Sequence, residues 1–253
     1  MILADYHVHT TFSDGKNTPE EMVLAAIEKG MTEIGFSDHS YTWFDESYCM
    51  KKEDAPRYRE CIAKLKEKYK GQIKILCGIE QDFYSDMPTQ DYDYVIGSVH
   101  YLRLRDEYVP VDVSPDILRD AANRYFGGNM AALAAEYYRT VSRVVQRTNA
   151  DIIGHFDLIT KFNEGGVLFD ENAASCIIAR GTAADCLLET EKPFEINTGV
   201  VSRGYRALPY PAQDIRKYIR SKGGKFILSS DSHSTETLCF GFDNEELRIF
   251  ANN

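Results

Sequence analysis

The segment Asp5-Tyr6-His7-Val8-His9 ends the first strand-like run of the chain and carries two imidazoles two residues apart. On an extended backbone, side chains at positions i and i+2 point to the same side, so His7 and His9 are expected to share one face. The four remaining histidines stand in the same relation to later runs, at or just after their C-terminal ends: His39, His100, His155 and His233. All six histidines of the chain therefore follow strands.

Seven short apolar runs alternate with segments of helical pattern. The runs cover residues 2–7, 33–37, 73–79, 94–99, 151–153, 194–196 and 225–229. A capping box from Thr18 to Glu21, with proline at the first helical position, predicts a helix to about residue 29. Apolar stripes predict further helices over 58–69 and 130–145, and others are expected over 170–189 and 211–222. Strands that alternate with helices indicate a mostly parallel sheet.

The histidines distinguish between an open sheet and a barrel. In a parallel barrel the C-terminal ends of the strands converge on one face, whereas in an open sheet they spread along an edge. The glycine-rich motifs that bind nucleotides on open sheets are not found in this sequence. We therefore expect an α/β fold in which residues 1–253 form a single TIM-like barrel domain, which the chain length also suits.

Composition and charge exclude several classes of function. The formal net charge of −10 disfavours a nucleic-acid or anionic-membrane binder, because both partners require a basic surface. No run approaches the ~18 apolar residues of a membrane span. The six cysteines are dispersed without a C-x-x-C pair, which is typical of reduced thiols in a cytoplasmic protein.

Carboxylates accompany the histidines and predict a metal centre. Asp231 and His233 repeat the two-residue spacing after the last run, Glu80 ends the third run, and Asp14 lies in the loop after His9. Imidazole and carboxylate are ligands for zinc, manganese or iron. A single histidine is more often an ordinary surface or core residue, but here none is left over. The predicted ligands are His7, His9, Asp14, His39, Glu80, His100, His155, Asp231 and His233.

This motif set resembles the polymerase-and-histidinol-phosphatase (PHP) superfamily of metal phosphoesterases. The shared pattern is H-x-H with a downstream Asp, then a strand-end His, a Glu, a His, a G-H and a final D-x-H, which here runs from His7 to His233. The segments around His100, His155 and Glu195 are similar to the stand-alone histidinol-phosphatase branch. The resemblance implies a distorted (β/α)7 barrel that hydrolyses L-histidinol phosphate, a small phosphorylated metabolite, in histidine biosynthesis.

The resemblance also implies three divalent metal ions, whose identity (zinc, manganese or iron) it leaves open. One ion would take His7, His9, Glu80 and Asp231; a second would share Glu80 and take His100 and His155; a third would take Asp14, His39 and His233. Arg203 and Lys161 are the implied phosphate ligands, and Arg206 remains an alternative to Arg203. Lys161 departs from the arginine usual in that branch, so it keeps a charge but lacks the bidentate fork.

The mechanism expected from such a centre is attack on phosphorus by a hydroxide that bridges two metals. Asp231 or His233 would move the proton to the leaving alkoxide. Asp38 and Asp157, each close in sequence to a predicted ligand histidine, are candidates to orient imidazoles. Three tyrosines are candidates for the leaving-group pocket: Tyr101, Tyr205 and Tyr210. The oligomeric state is left open.

Three alternatives compete with this interpretation. Another PHP phosphoesterase would use the same ligands on a different phosphorylated metabolite or a nucleotide, because a fold does not determine a substrate. An amidohydrolase-type barrel also begins with H-x-H but needs a bridging lysine at a strand end, and would leave Asp14 and His39 without a role. A binding protein that kept the fold without the chemistry would not need the complete ligand set.

Overall fold

A computed structural model describes residues 3–252 and arranges them around a parallel sheet. Its strands are β1 Ala4–Asp5, β2 Glu33–Phe36, β3 Lys74–Asp82, β4 Tyr94–Ser98, β5 Tyr101–Leu104, β6 Glu107–Pro110, β7 Ile152–Ile153, β8 Phe194–Asn197 and β9 Phe226–Ser229. Seven of them pair in the order β1-β2-β3-β4-β7-β8-β9, with every pair parallel. The other two, β5 and β6, form a separate antiparallel hairpin.

The two edges of the seven-stranded sheet meet just beyond β1 and β9. Val8 forms a parallel bridge with Ser232. The backbone N–H of His9 donates to the Ser232 carbonyl at 2.8 Å, and the Ser232 N–H donates to the His7 carbonyl at 3.0 Å. These bonds join the strands at the end where the histidines lie, so the expected seven-stranded barrel is confirmed.

Helices cover the outside of the barrel. They are α1 Pro19–Glu28, α2 Ala55–Lys68, α3 Pro115–Phe126, α4 Met130–Val141, α5 Val144–Thr148, α6 Ala174–Leu188, α7 Gly199–Ser202, α8 Gln213–Ser221 and α9 Glu245–Asn252. The predicted capping box is present: Thr18 accepts from the Glu21 N–H, and the Glu21 side chain accepts from the Thr18 N–H. No helix within residues 3–252 is long and apolar enough to cross a membrane.

Tyr94 fills part of the barrel interior, and two glycines make room for it. A Cβ at Gly78 would lie 2.3 Å from the Tyr94 ring, and one at Gly35 would lie 2.4 Å from its hydroxyl. The hydroxyl donates to the carbonyls of Tyr6 at 2.6 Å and Phe36 at 3.1 Å. Because real Cβ atoms do not approach so closely, both strands need glycine where they face this ring.

The element boundaries differ from the predicted ones in several places. The first run was predicted from residue 2, which lies outside the described residues, and β1 pairs only over Ala4–Asp5. Beyond β1 the Val8 N–H donates to the Ser37 hydroxyl at 3.1 Å, so a side chain replaces a backbone acceptor in the pairing with the neighbouring strand. The predicted 130–145 helix is interrupted between α4 and α5, and the predicted 170–189 helix begins only at Ala174. The hairpin and helices α3, α7 and α9 were not predicted.

Candidate metal centre

Glu80 lies at the middle of the mouth of the barrel, where β3 carries it into a ring of imidazoles. Its Oε2 is 3.2 Å from His7 Nε2, 3.5 Å from His9 Nε2 and 2.8 Å from His39 Nδ1. Its Oε1 is 3.4 Å from His100 Nε2 and 2.9 Å from His155 Nε2. One buried carboxylate thus faces five of the six histidines, in the position of a bridging ligand.

Asp14 and Asp231 face the same centre from the other side of the mouth. Asp14 Oδ1 is 3.8 Å from His9 Nδ1 and 3.7 Å from His39 Nε2, and its Oδ2 is 3.3 Å from His233 Nε2. Asp231 Oδ1 is 3.3 Å from His9 Nε2 and 3.6 Å from His233 Nδ1. The structure therefore brings all nine predicted ligands together.

The backbone at Asp231 differs from the expected extension of β9. The strand ends at Ser229, and Asp231 has a φ of +49°, in the left-handed region. The prediction that Asp231 and His233 share the extended conformation of His7 and His9 was therefore wrong, although the side chains of Asp231 and His233 both reach the mouth of the barrel. Non-glycine residues with positive φ are uncommon and cluster at functional sites.

Buried polar atoms without hydrogen-bond partners test whether these residues suit a metal. Such atoms at the mouth include His7 Nε2, both ring nitrogens of His9 and Glu80 Oε2. Leaving a buried donor or acceptor unpaired costs about 1–3 kcal/mol each. Cations placed among them would satisfy the lone pairs that the protein leaves unmatched, so the donor set fits metal ions.

Three sets of ligand atoms lie within 4.8 Å of one another: His9, Asp14, His39 and His233; His7, His9 and Glu80; and His39, Glu80 and His100. The sets share His9, His39 and Glu80, so the donors form one connected cluster. The division differs in detail from the one that the resemblance implies, because His9 joins the Asp14 set and His39 also approaches Glu80.

The charges in the centre depend strongly on one another. Burial alone would raise the pKa of Glu80, but His7, His39 and His100 hold it well below its usual range. Burial, reinforced by His233 and His39, lowers the pKa of His9 to about 3. Glu80 is therefore ionised and His9 neutral at pH 7, which are the states in which both groups bind metals.

Two acids that were not predicted as functional orient the ligand histidines. Glu195 on β8 is buried; its Oε1 lies 2.5 Å from His7 Nδ1, and its Oε2 accepts from the His155 N–H at 2.9 Å. Asp82, two residues after Glu80, accepts from the His100 N–H at 3.1 Å, and its Oδ2 lies 3.4 Å from His100 Nδ1. An acid inside an otherwise apolar strand is the signal that could have indicated Glu195.

Asp38 and Asp157, the two acids proposed from sequence to orient imidazoles, have other partners. Asp38 accepts from the Thr10 N–H at 2.8 Å and from the Ser13 hydroxyl at 2.6 Å, so it orders the loop that carries Asp14. Asp157 accepts from the Ala212 N–H at 2.9 Å. Closeness in sequence to a histidine was therefore a poor guide, because both acids lie beyond the ends of their strands, where the local loop sets the direction of a side chain.

The two arginines proposed as alternatives lie in different surroundings. Arg203 Nη2 donates to Asp231 Oδ2 at 2.7 Å, and its Nη1 lies 3.4 Å from His233 Nδ1. Arg206 instead donates to the Thr160 carbonyl at 3.2 Å and lies 3.4 Å from Glu164. The arginine beside the predicted metal ligands is Arg203.

Lys161 also reaches the site, but it already has a partner. Its Nζ donates to the Asp112 carbonyl at 2.7 Å and lies 3.4 Å from the Asp112 carboxylate. The same ammonium lies 4.9 Å from the centre of the Tyr205 ring. Any contact between Lys161 and a phosphate would therefore compete with Asp112.

A cavity of about 280 Å³ opens over the centre. Seven of the predicted ligands line it together with Arg203 and Lys161, and its remaining walls include Asp45, Ser47, Tyr48, Tyr101, Asp112 and Tyr210. Two of the three tyrosines considered from sequence thus face the site. The third, Tyr205, is largely exposed and packs edge-on against Phe162.

Comparisons with known proteins agree with this geometry. The PHP domain family matches residues 5–199. A Deinococcus radiodurans protein named as a probable histidinol-phosphatase is 30% identical over 256 residues, which cover 95% of this chain and 90% of that protein. The crystal structure of a Listeria monocytogenes protein assigned as a histidinol phosphatase superposes with a TM-score of 0.80 at 20% identity, covering 96% of this chain and 100% of that one.

A third similar protein carries ligands. The Lactococcus lactis histidinol phosphate phosphatase, crystallised with zinc, L-histidinol and phosphate, superposes with a TM-score of 0.65 at 24% identity, and the match covers 92% of this chain and 86% of that one.

Proposed function

Since the chain belongs to the PHP domain family, we propose that it is a metal-dependent phosphomonoesterase that hydrolyses L-histidinol phosphate to L-histidinol and phosphate. The observation that carries the proposal is the ring of unpaired, buried imidazole and carboxylate atoms around Glu80 at the floor of an open cavity. The Deinococcus radiodurans relative supports the choice of substrate, and the ligands of the Lactococcus lactis structure suit the same chemistry.

We assign Glu80 and the eight other predicted ligands as the ligands of three divalent ions. His7, His9, Glu80 and Asp231 would hold one ion, Glu80 with His100 and His155 a second, and Asp14, His39 and His233 a third. Zinc is the first candidate, with manganese and iron as alternatives. Bound divalent ions would lower the pKa of a water from ~15.7 to near 7 and offset the charge of the phosphoryl group.

The remaining roles belong to side chains of this protein. Arg203 would bind phosphoryl oxygens with its planar donors, because it lines the cavity beside Asp231 and His233. Lys161, which lines the same cavity beside Asp112, is the second phosphate-binding candidate. Asp231 and His233 are the candidates to pass a proton to the departing alcohol, since both line the cavity next to Arg203. Glu195 would accept a hydrogen bond from His7 Nδ1–H and so leave the lone pair on Nε2, the nitrogen that faces Glu80.

We also propose a cytoplasmic location. All six cysteines lie within the described residues and are free thiols, as is usual in a reducing compartment.

The test is release of phosphate from L-histidinol phosphate by the metal-loaded protein, compared with a panel of phosphomonoesters and nucleotides. We expect L-histidinol phosphate to give the highest kcat/KM, about three metals per chain by elemental analysis, and loss of activity on chelation that metal restores. Activity that favours another phosphoester would refute the substrate but leave the metal centre standing. A protein with no metal-restorable hydrolysis of any phosphoester would refute the enzyme assignment.

A further inference from the structure

Asp45 places a carboxylate in the cavity that the metal centre does not use. It lies on the loop between β2 and α2 and lines the same cavity as Arg203 and Glu80. The Tyr101 hydroxyl donates to Asp45 Oδ2 at 2.6 Å, while the N–H and hydroxyl of Ser47 donate to Oδ1 at 3.0 and 2.6 Å. Although burial opposes it, these donors hold the pKa of Asp45 below its usual value, so the group is an anion at pH 7.

The charge balance of the cavity sets Asp45 apart from its other acids. Asp112 is paired with Lys161 at 3.4 Å, and Asp231 is paired with Arg203 at 2.7 Å. Glu80 and Asp14 face the histidines. The three donors to Asp45 are neutral, and no ion pair of Asp45 is found within residues 3–252. A fixed negative charge there would repel a phosphoryl dianion, so it suits a different part of the substrate.

The position of Asp45 indicates which part of the substrate it would contact. The Tyr48 ring lies 4.8 Å from the His39 ring and 6.1 Å from the Tyr101 ring, between centroids. Tyr101 in turn holds Asp45. Tyr48 and Tyr101 therefore connect the ligand histidines to the carboxylate along one wall of the cavity. This wall lies in the same cavity as the histidines, so the alcohol half of a phosphate ester bound there can contact it.

We infer that Asp45 binds a protonated amine on the alcohol half of the substrate and so selects phosphate esters of amino alcohols. The inference rests on the proposed function and deepens it. L-histidinol phosphate carries a primary amine on the carbon next to its ester CH₂ group. Primary amines keep their proton at pH 7, whereas an imidazole with a pKa of about 6.5 is mostly neutral. A carboxylate that recognises charge therefore matches the amine rather than the ring.

The experiment compares the metal-loaded wild type with Asp45→Asn and with a matched control, Glu46→Gln. Glu46 is the next residue of the same loop, is exposed, and accepts from the Tyr41 hydroxyl at 2.8 Å. Two pairs of substrates are used, each differing only by the amine. They are L-histidinol phosphate against imidazolylpropyl phosphate, and ethanolamine phosphate against ethyl phosphate. The readout is the ratio of kcat/KM within each pair.

We expect Asp45→Asn to lower kcat/KM for the amine-bearing esters about 10- to 100-fold, mainly through KM, as for loss of a charge-assisted contact. The amine-free esters should change by less than about threefold, and Glu46→Gln should leave both ratios unchanged. Equal losses of kcat/KM on both members of a pair would show that Asp45 only positions its loop, and unchanged kcat/KM values for all four esters would show that it has no role. Either result overturns the inference.

The same measurements distinguish a failure of the proposed substrate from a failure of the role of Asp45. A wild type that hydrolyses ethyl phosphate but not L-histidinol phosphate refutes the proposed substrate, and Asp45 is then judged on the ethanolamine pair. A wild type with no preference for the amine in either pair refutes the role of Asp45. Calorimetric binding of L-histidinol gives a readout independent of turnover: Asp45→Asn should weaken it about tenfold or more, and equal affinities would overturn the inference.

Discussion

Glu195→Gln tests how the barrel orients its metal ligands. Glu195 Oε1 faces His7 Nδ1 at 2.5 Å, while its Oε2 accepts from the His155 N–H and from Asn197 Nδ2, both at 2.9 Å. A glutamine has one acceptor oxygen and one NH₂ group. If the oxygen stays with the two donors, the NH₂ faces His7 Nδ1, and His7 must then carry its proton on Nε2.

That tautomer places an N–H where the protein needs a lone pair, 3.2 Å from Glu80 Oε2. The opposite amide orientation points NH₂ at two buried donors, which costs about 1–3 kcal/mol. Both amide orientations therefore weaken metal binding at the centre. Substitutions of groups that orient a ligand histidine typically lower metal affinity 10- to 100-fold. We therefore expect a loss of about 1.4–2.7 kcal/mol in binding at the His7 site.

The assay is zinc content after dialysis against a graded series of chelator buffers. Wild type and Glu195→Gln are compared with Glu164→Gln, an exposed glutamate that pairs with Arg206 outside the centre. Circular dichroism at each point confirms that the variant is folded. The reasoning is refuted if folded Glu195→Gln retains zinc at the same chelator concentrations as the wild type and Glu164→Gln.

Three further predictions follow from the same structure. Arg203→Ala should raise KM for phosphomonoesters about 100-fold through loss of a bidentate phosphate contact, with Arg203→Lys intermediate; steady-state kinetics that leave KM unchanged would contradict it. Gly78→Ala should destabilise the protein by about 1–3 kcal/mol in denaturant titration, because the added methyl meets the Tyr94 ring; an unchanged midpoint would contradict the packing argument. Although burial opposes it, hydrogen bonds from Lys66 and from a backbone N–H lower the pKa of Asp93. The charge of Asp93 therefore stabilises the fold above the unfolded pKa of about 3.9, and this stabilisation is lost as pH falls through the lower pKa of the folded state. Asp93→Asn should therefore cost about 0.5–1 kcal/mol at pH 7, allowing for solvent screening, and progressively less toward pH 3; a constant difference across that range would contradict this.

Much of the architecture could be predicted because it is encoded locally. Seven of the strands correspond to seven short apolar runs, and the capping box of α1 is complete in four consecutive residues. The β5–β6 hairpin was missed because its sequence is polar and charged at its turn, and its pairing depends on contacts with distant aromatic side chains, such as Phe44 stacked on Tyr108. Local patterns do not report such contacts.

The amino-acid sequence by itself determined which residues could be metal ligands and that they share one face. Residue type and position at a strand end are local properties, and the C-terminal ends of parallel strands always converge in a barrel. Only the tertiary structure decided which groups surround those ligands. His7 and Glu195 are 188 positions apart in sequence, and Arg203 rather than Arg206 reaches the cavity through the direction of its side chain. Hydrogen bonds and charges act through space, so the orientation of His7, the choice of arginine and the isolated charge of Asp45 were settled by folding.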